Sequence, residues 1–348
     1  MPTSSFDTFF ACTIILAAAL IATGFVTSTM QVRIENTKNI NEQSYLQAIA
    51  DHMVTSPGTP SNWGISNSVP ADFGLAAASS TIPYELDVDK VTRLNSLNNY
   101  CLSYFDMETS SKLNGVALAI AVSQILDVSI EKSSSSLTGN DASFTLSIST
   151  SIDSEPVSAS LKCYVVANNY LNNITSNTSN VGLGYLNVQI PSQAAGNAMV
   201  IVFARASFDD RITSYAVYDP ANSTQETVSS SNFLTLSPLN YKLSLSTNSS
   251  ELTIQGGYVF SYAYEQSLAL TPGATQCPIT EIVDKSPLII VVNGVDNGAY
   301  FQEWVSYPQV PFSAGSDFSA PPQNVFSYTV TINGALYKLE ISFGGVAS

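Results

Sequence analysis

The stretch FFACTIILAAALIATGFVTSTM, residues 9–30, decides how the rest of the chain is read. It carries no charge, and none occurs between Asp7 and Arg33. A run of about 20 mostly apolar residues is long enough to cross the roughly 30 Å hydrocarbon core of a bilayer as a helix, and longer than a soluble core helix needs. Three uses fit such a segment: a cleaved signal, a retained anchor, or the hydrophobic helix of a filament subunit. The absence of Lys and Arg from residues 1–8 argues against the first, because signal peptides open on a positive region.

Outward from this stretch, nothing breaks a helix until Pro57. Ser4 or Ser5 suits its start, with Asp7 near the positive helix N-terminus. Beyond the apolar run, QVRIENTKNINEQSYLQAIADHMV is helix-compatible, and Tyr45, Leu46, Ile49, Ala50 and Met53 recur at spacings of three and four. One continuous helix of roughly 70 Å is expected at 1.5 Å per residue. Residues 1–56 therefore read as a hydrophobic membrane or filament-core helix plus a stalk. Small residues at Ala17 to Ala19, Ala22 and Gly24 permit close helix approach, and Ile15, Ala18 and Ala22 form the expected assembly face.

Ser56-Pro57-Gly58-Thr59-Pro60 stops the helix and opens an irregular linker over 57–83, in which Trp63 is expected to anchor the packing at the helix end. Residues 84–170 alternate apolar and polar side chains with β-branched and aromatic residues, as half-buried strands do. A polar connector follows at 171–180, and strand-like runs resume over 181–348. Asn333-Gly334 between two alternating segments predicts a two-residue hairpin turn. The expected fold class is mainly β with a long N-terminal hydrophobic α-helix, carrying one or two antiparallel Ig-like β-sandwich heads.

The 348 residues include 12 Lys and Arg against 27 Asp and Glu, a net charge of -15 that disfavours nucleic-acid binding. Only 11% of residues are charged, so hydroxyls and amides must supply much of the solubility, a pattern of extracellular β-proteins. Sequons at Asn173, Asn177, Asn222 and Asn248 point the same way. Of the four cysteines, Cys12 lies in the apolar run. Cys101 with Cys163 is the preferred disulfide pair, since both fall in one expected domain.

Chemistry is sparse. His52 is the sole histidine and lies on the stalk helix, which leaves no His-based zinc site and no ordinary catalytic triad. Acidic pairs such as Asp87 with Asp89 and Asp106 with Glu108 fit solvated turns. Calcium is the one cofactor considered, through Asp209, Asp210 and Asp296 as hard oxygen ligands on loops, although no EF-hand spacing supports it. Many of the 17 tyrosines fall on expected strands, Tyr258, Tyr262, Tyr264, Tyr328 and Tyr337 among them, and are assigned to sheet packing ahead of a sugar-binding face.

An apolar N-terminal helix continuing as a stalk into a Ser/Thr/Asn-rich β head resembles the archaeal type IV filament subunits, the pilins and archaellins. LDVDKVTRLNSLNNYCLSY and SPGTPSNW are similar to stretches of membrane-anchored archaeal surface proteins. Family prepilins place Lys or Arg and then a small residue just before the apolar helix, and residues 1–5 offer neither. The resemblance implies a non-enzymatic structural protein of the cell surface, assembled with its own copies through the helix. The alternative is a single-pass anchored module whose head binds a glycan or another surface protein.

Overall fold

A helix, α1 (Thr3–Thr55), opens the chain, so that Ser4, Ser5 and Asp7 lie within it. The computed structural model describes residues 3–113, 115–138, 141–167, 169–191, 194, 198–220, 224–226, 232–247, 251–270, 273–281, 284–318, 321–322 and 324–346. Two units divide it, Met1–Asp51 and His52–Ser348. The helix stops where the sequence runs out of helix formers: Ser56 N–H still bonds to His52 O at 2.8 Å, and Gly58 then takes a φ of +72°. A β-carbon at Gly58 would lie 2.5 Å from the Asp72 carbonyl oxygen, so only glycine fits this turn.

In the second unit come β1 (Glu85–Leu86), α2 (Val88–Thr92), α3 (Tyr104–Ser111), β2 (Val116–Gln124), β3 (Asp127–Thr138), β4 (Asp141–Ile152), β5 (Glu155–Pro156) and β6 (Ala159–Ala167). Next are β7 (Tyr170–Asn177), β8 (Leu183–Ile190), β9 (Met199–Ala206), β10 (Thr213–Asp219), β11 (Thr224–Glu226), β12 (Leu234–Leu239) and β13 (Lys242–Thr247). Then follow β14 (Thr253–Phe260), β15 (Glu265–Ser267), β16 (Gln276–Pro278), β17 (Leu288–Asp296), β18 (Ala299–Tyr307), β19 (Phe312–Gly315), β20 (Asn324–Ile332) and β21 (Ala335–Val346).

Among the described residues these strands form five sheets. Their central piece has the order β11-β10-β9-β6-β7. One face of it packs on β3, β4 and β8, with Val128, Ile148, Leu186 and Val188 meeting Leu161, Cys163, Val202 and Ala216. Its other face packs on β14, β17 and β18, where Tyr164, Phe203 and Tyr215 meet Phe260, Val291 and Trp304. Coverage on both faces explains why residues 198–206, AMVIVFARA, read as a nearly unbroken apolar run: every residue but Arg205 is buried. A further sheet, β1-β20-β21-β2-β19, joins strands from both ends of the head.

The fold expected from the sequence needs correction. Among the described residues no helix is long and apolar enough to cross a membrane. On this helix Thr13, Thr23 and Thr27 each donate to the carbonyl four residues back, at 2.6, 2.6 and 2.8 Å. Nor are the β segments one or two successive Ig-like sandwiches. The central sheet is shared by two sandwiched layers, β6 pairs with β9 across the expected boundary, and β2 pairs with β21. The polar connector expected at 171–180 is largely β7, paired along its length with β6.

Candidate functional site

Two regions hold side chains whose placement demands a physical reason, and the first is the apolar stretch of α1. Phe9, Phe10, Ile14, Ile15, Leu16, Leu20, Ile21, Phe25 and Met30 are each 58 to 74% exposed. At 3.6 residues per turn these positions fall on all sides of the helix rather than on one stripe. Burying a side chain of this size stabilises by about 1.5–3 kcal/mol, so the segment retains on the order of 10 kcal/mol or more of unused apolar burial. Ile15 and Ala22 of the expected assembly face are exposed. The side chain of Ala18 lies outside the described residues.

The second region is a buried polar knot on α2. Asp87 caps this helix, its Oδ1 accepting from the Asp89 and Lys90 amides at 2.9 and 3.1 Å. Asp89, Lys90 and Arg93 are nevertheless buried. Lys90 Nζ donates to the carbonyls of Pro57 (2.9 Å) and Ala76 (2.7 Å). Arg93 donates to the carbonyls of Trp63 (2.6 Å), Ser68 (3.0 Å) and Tyr100 (2.9 Å). Both cations approach the Trp63 indole, whose Nε1 donates to Gly74 O at 2.9 Å. Burial lowers the pKa of both cations.

On the other side of α2, Asp89 Oδ1 accepts from the Tyr307 hydroxyl and the Asn240 amide, both at 2.7 Å. Burial is the main cause that raises this carboxyl to about 6. Asn95 and Asn98 extend the knot to the Gln309 backbone and side chain, at 3.0 and 2.6 Å. The lysine and arginine donors named here thus point at main-chain carbonyls of irregular segments, so the knot holds loops in place. Trp63 acts as the expected packing anchor. SPGTPSNW and LDVDKVTRLNSLNNY, far apart in sequence, meet here. No local signal announced this meeting: Lys90 and Arg93 are two of only 12 cations, but Trp63 lies 27 residues before Lys90.

The remaining expected residues do not converge on one site. Asn173 and Asn177 are exposed on β7, an edge strand of the central sheet, while Asn222 and Asn248 lie outside the described residues. The Cys101 to Cys163 disulfide is corrected: both thiols are free, Cys101 at the surface and Cys163 fully buried on β6 between two sheets. Burial pushes Cys163 up to about 12. Two of the three expected calcium ligands are engaged in ion pairs, Asp209 with Arg211 at 2.7 Å and Asp210 with Lys285 at 2.8 Å, while Asp296 Oδ2 accepts from Asn297 Nδ2 at 3.4 Å. Among the described residues no three His, Cys, Asp or Glu side chains cluster to hold a metal ion.

His52 Nε2 pairs with Asp72 Oδ2 at 3.0 Å, and Lys112 takes the other oxygen at 2.9 Å. The hydrogen bonds from Lys112 and then His52 lower the Asp72 pKa. Of the tyrosines, Tyr337 is buried, and Tyr258 and Tyr262 pack against the core between the central sheet and β14, β17 and β18.

No known family profile matches the chain, and no curated protein matches it. Among solved structures, HBP35 of Porphyromonas gingivalis is similar over 59% of this chain and 69% of that one, at 13% identity and a TM-score of 0.20.

Proposed function

We propose that this chain is a structural cell-surface protein whose apolar N-terminal residues hold copies of it together while the β head faces outward. The observation that carries the reading is the set of nine large apolar side chains exposed all around α1 between Phe9 and Met30. A surface of that kind is unstable against water and is satisfied by a matching one, which a second copy supplies. Ala22 is small, and a β-carbon added at Gly24 would meet no atom within 4 Å, so both positions leave room for close approach. The sparse charge, the abundant hydroxyls and amides, and sequons exposed on β7 support an outward-facing head. Expected partners are therefore further copies of the same chain, with lipid as the competing occupant of the helix.

Sedimentation of the full chain with detergent present and then removed tests this reading. Detergent removal should yield large assemblies, and both Ile15→Lys and Ala22→Lys should disperse them, since a buried cation costs several kcal/mol. A dispersed monomer without detergent, or assemblies indifferent to both substitutions, would count against the proposal. Single copies stable only in lipid vesicles would favour an anchored binding module instead.

A further inference from the structure

The layer between the central sheet and β18 is apolar along most of its length, and its character changes at one end. Period-two alternation puts Tyr300, Gln302 and Trp304 on the face of β18 that meets the central sheet. Trp304 belongs to the apolar cluster there. Two residues back, Gln302 stands directly across from Asn293 of β17. At this point a cavity of about 230 Å³ opens, and Met199, Val217, Asp219, Glu226, Phe233 and Gln302 are among its lining.

Its polar groups are only partly spent on one another. Oδ1 of Asn293 is buried without a hydrogen-bond partner, and the one neighbour that the Gln302 amide meets is the Tyr300 hydroxyl. Asn293 is only 7% exposed, and its Nδ2 reaches the Tyr300 hydroxyl at 3.3 Å. Glu226 uses Oε2 to accept the Trp304 indole N–H at 2.5 Å, and burial raises its pKa. Unmet buried donors and acceptors are costly, and beside a cavity they mark where a ligand completes the set.

The chemistry of that ligand follows from what is missing. With two N–H donors and a carbonyl acceptor, the Gln302 amide still offers both a donor and an acceptor after it meets the Tyr300 hydroxyl. An ammonium only donates and a carboxylate only accepts, whereas a hydroxyl does both. No Lys or Arg lines the cavity, and two carboxylates do, which excludes an anionic ligand. The other wall is apolar, built from Met199, Val217 and the Phe233 ring stacked on Phe301 with centroids 5.3 Å apart. A pyranose has this division, with C–H faces for an apolar wall and hydroxyls around its edge.

We infer that this cavity binds a neutral sugar, one hexose unit of a glycan, with Gln302 and Glu226 bonding its hydroxyls and the Phe233 wall covering its face. The inference concerns the head alone and stands whether or not copies assemble through α1.

The test is calorimetric titration of the full chain in detergent with glucose, galactose and mannose, and with glucosamine and glucuronate as charged controls. Trp304, bonded to Glu226, supplies a fluorescence readout at the cavity. At least one neutral hexose should bind with a Kd of about 1 mM. Gln302→Leu should weaken it about tenfold, and Asn232→Ala and Tyr300→Phe, at two further residues of the cavity lining, severalfold, with circular dichroism unchanged. Should Gln302→Leu not fold, the other two variants carry the comparison. Absence of binding by any neutral hexose, binding of glucosamine alone, or binding unaltered in both rim variants would overturn the inference and leave a water-filled cavity.

Discussion

The Arg93 guanidinium lies 5.3 Å from the centroid of the Trp63 ring, and the Lys90 ammonium approaches the same indole at 6.0 Å. One tryptophan thus meets two buried cations whose hydrogen bonds end on the carbonyls of four loop residues besides its own. Such an arrangement replaces regular secondary structure where the irregular segment after α1 joins the sheets. The cations need the carbonyls because each is out of water, and the loops need the cations because their carbonyls are too.

Removing either side should therefore be costly. Trp63→Ala is expected to destabilise by about 3–5 kcal/mol, mostly through lost packing. Arg93→Met keeps the apolar stem but strands the carbonyls of Trp63, Ser68 and Tyr100, and should cost about 3 kcal/mol or more. Urea unfolding followed by fluorescence measures both. A loss under about 1 kcal/mol for each would show that the knot is not what holds the segment.

The Asp89 carboxyl gives the knot a pH signature. Its ordinary value of 3.8 is raised to about 6 by burial. Below pH 4 both folded and unfolded states hold the proton, and above pH 6 neither does; in between, the folded state holds more. Stability due to this group therefore falls as pH rises through that window, by about 3 kcal/mol in all. Asp72, Asp209 and Asp284 have lowered values and act in the opposite sense, losing their contribution as pH falls through their folded-state pKa values. Asp89→Asn keeps an acceptor for Tyr307 and Asn240. Thermal melts of this variant should show a higher Tm than the parent at pH 7 and no difference at pH 4. An unchanged Tm at pH 7 would contradict the assignment.

Thiol chemistry should separate the cysteines cleanly. Cys101 is exposed, whereas burial raises Cys163 to about 12 and Cys277 to about 11. Peptide mapping after maleimide treatment of the folded protein should find label at Cys101 and not at Cys163 or Cys277, and denaturant should open both. A Cys101 to Cys163 bridge recovered under non-reducing conditions would refute the free-thiol assignment.

Several features were legible from local pattern. The stop after Thr55 follows from Pro57 and Gly58, and Asn333-Gly334 forms its turn with both φ values positive, 48° and 79°. What local pattern could not supply is pairing across distance. AMVIVFARA announces a strand but not that both of its faces are covered. Nothing near β2 indicates that its partner is β21, more than 200 residues later. Alternation at 170–177 was hidden by asparagines, since YLNNITSN is polar on both faces of an edge strand. The cavity beside Gln302 escaped for the same reason: its residues come from β9, β10, β11, β18 and the segment just before β12, and only the sheet order brings those strands together.

Exposure of Asn173 and Asn177 on β7 makes a further prediction about the head. Glycopeptide mapping of the chain taken from its native cell surface should find glycan on at least one of them. Asn173→Gln and Asn177→Gln should each change unfolding stability by no more than about 0.5 kcal/mol, because both side chains are exposed. Unmodified peptides at both positions would weaken the outward-facing assignment.

Electron microscopy of the full chain after detergent removal, parent beside Ile15→Lys, tests the proposed assembly most directly. Ordered assemblies with head-sized projections are expected for the parent, and separate particles for the variant, whose lysine would be forced among the exposed side chains of Phe10, Ile14 and their neighbours. Dispersed single particles of the parent, or identical assemblies from the two proteins, would contradict the claim that copies of this chain meet through residues 9–30.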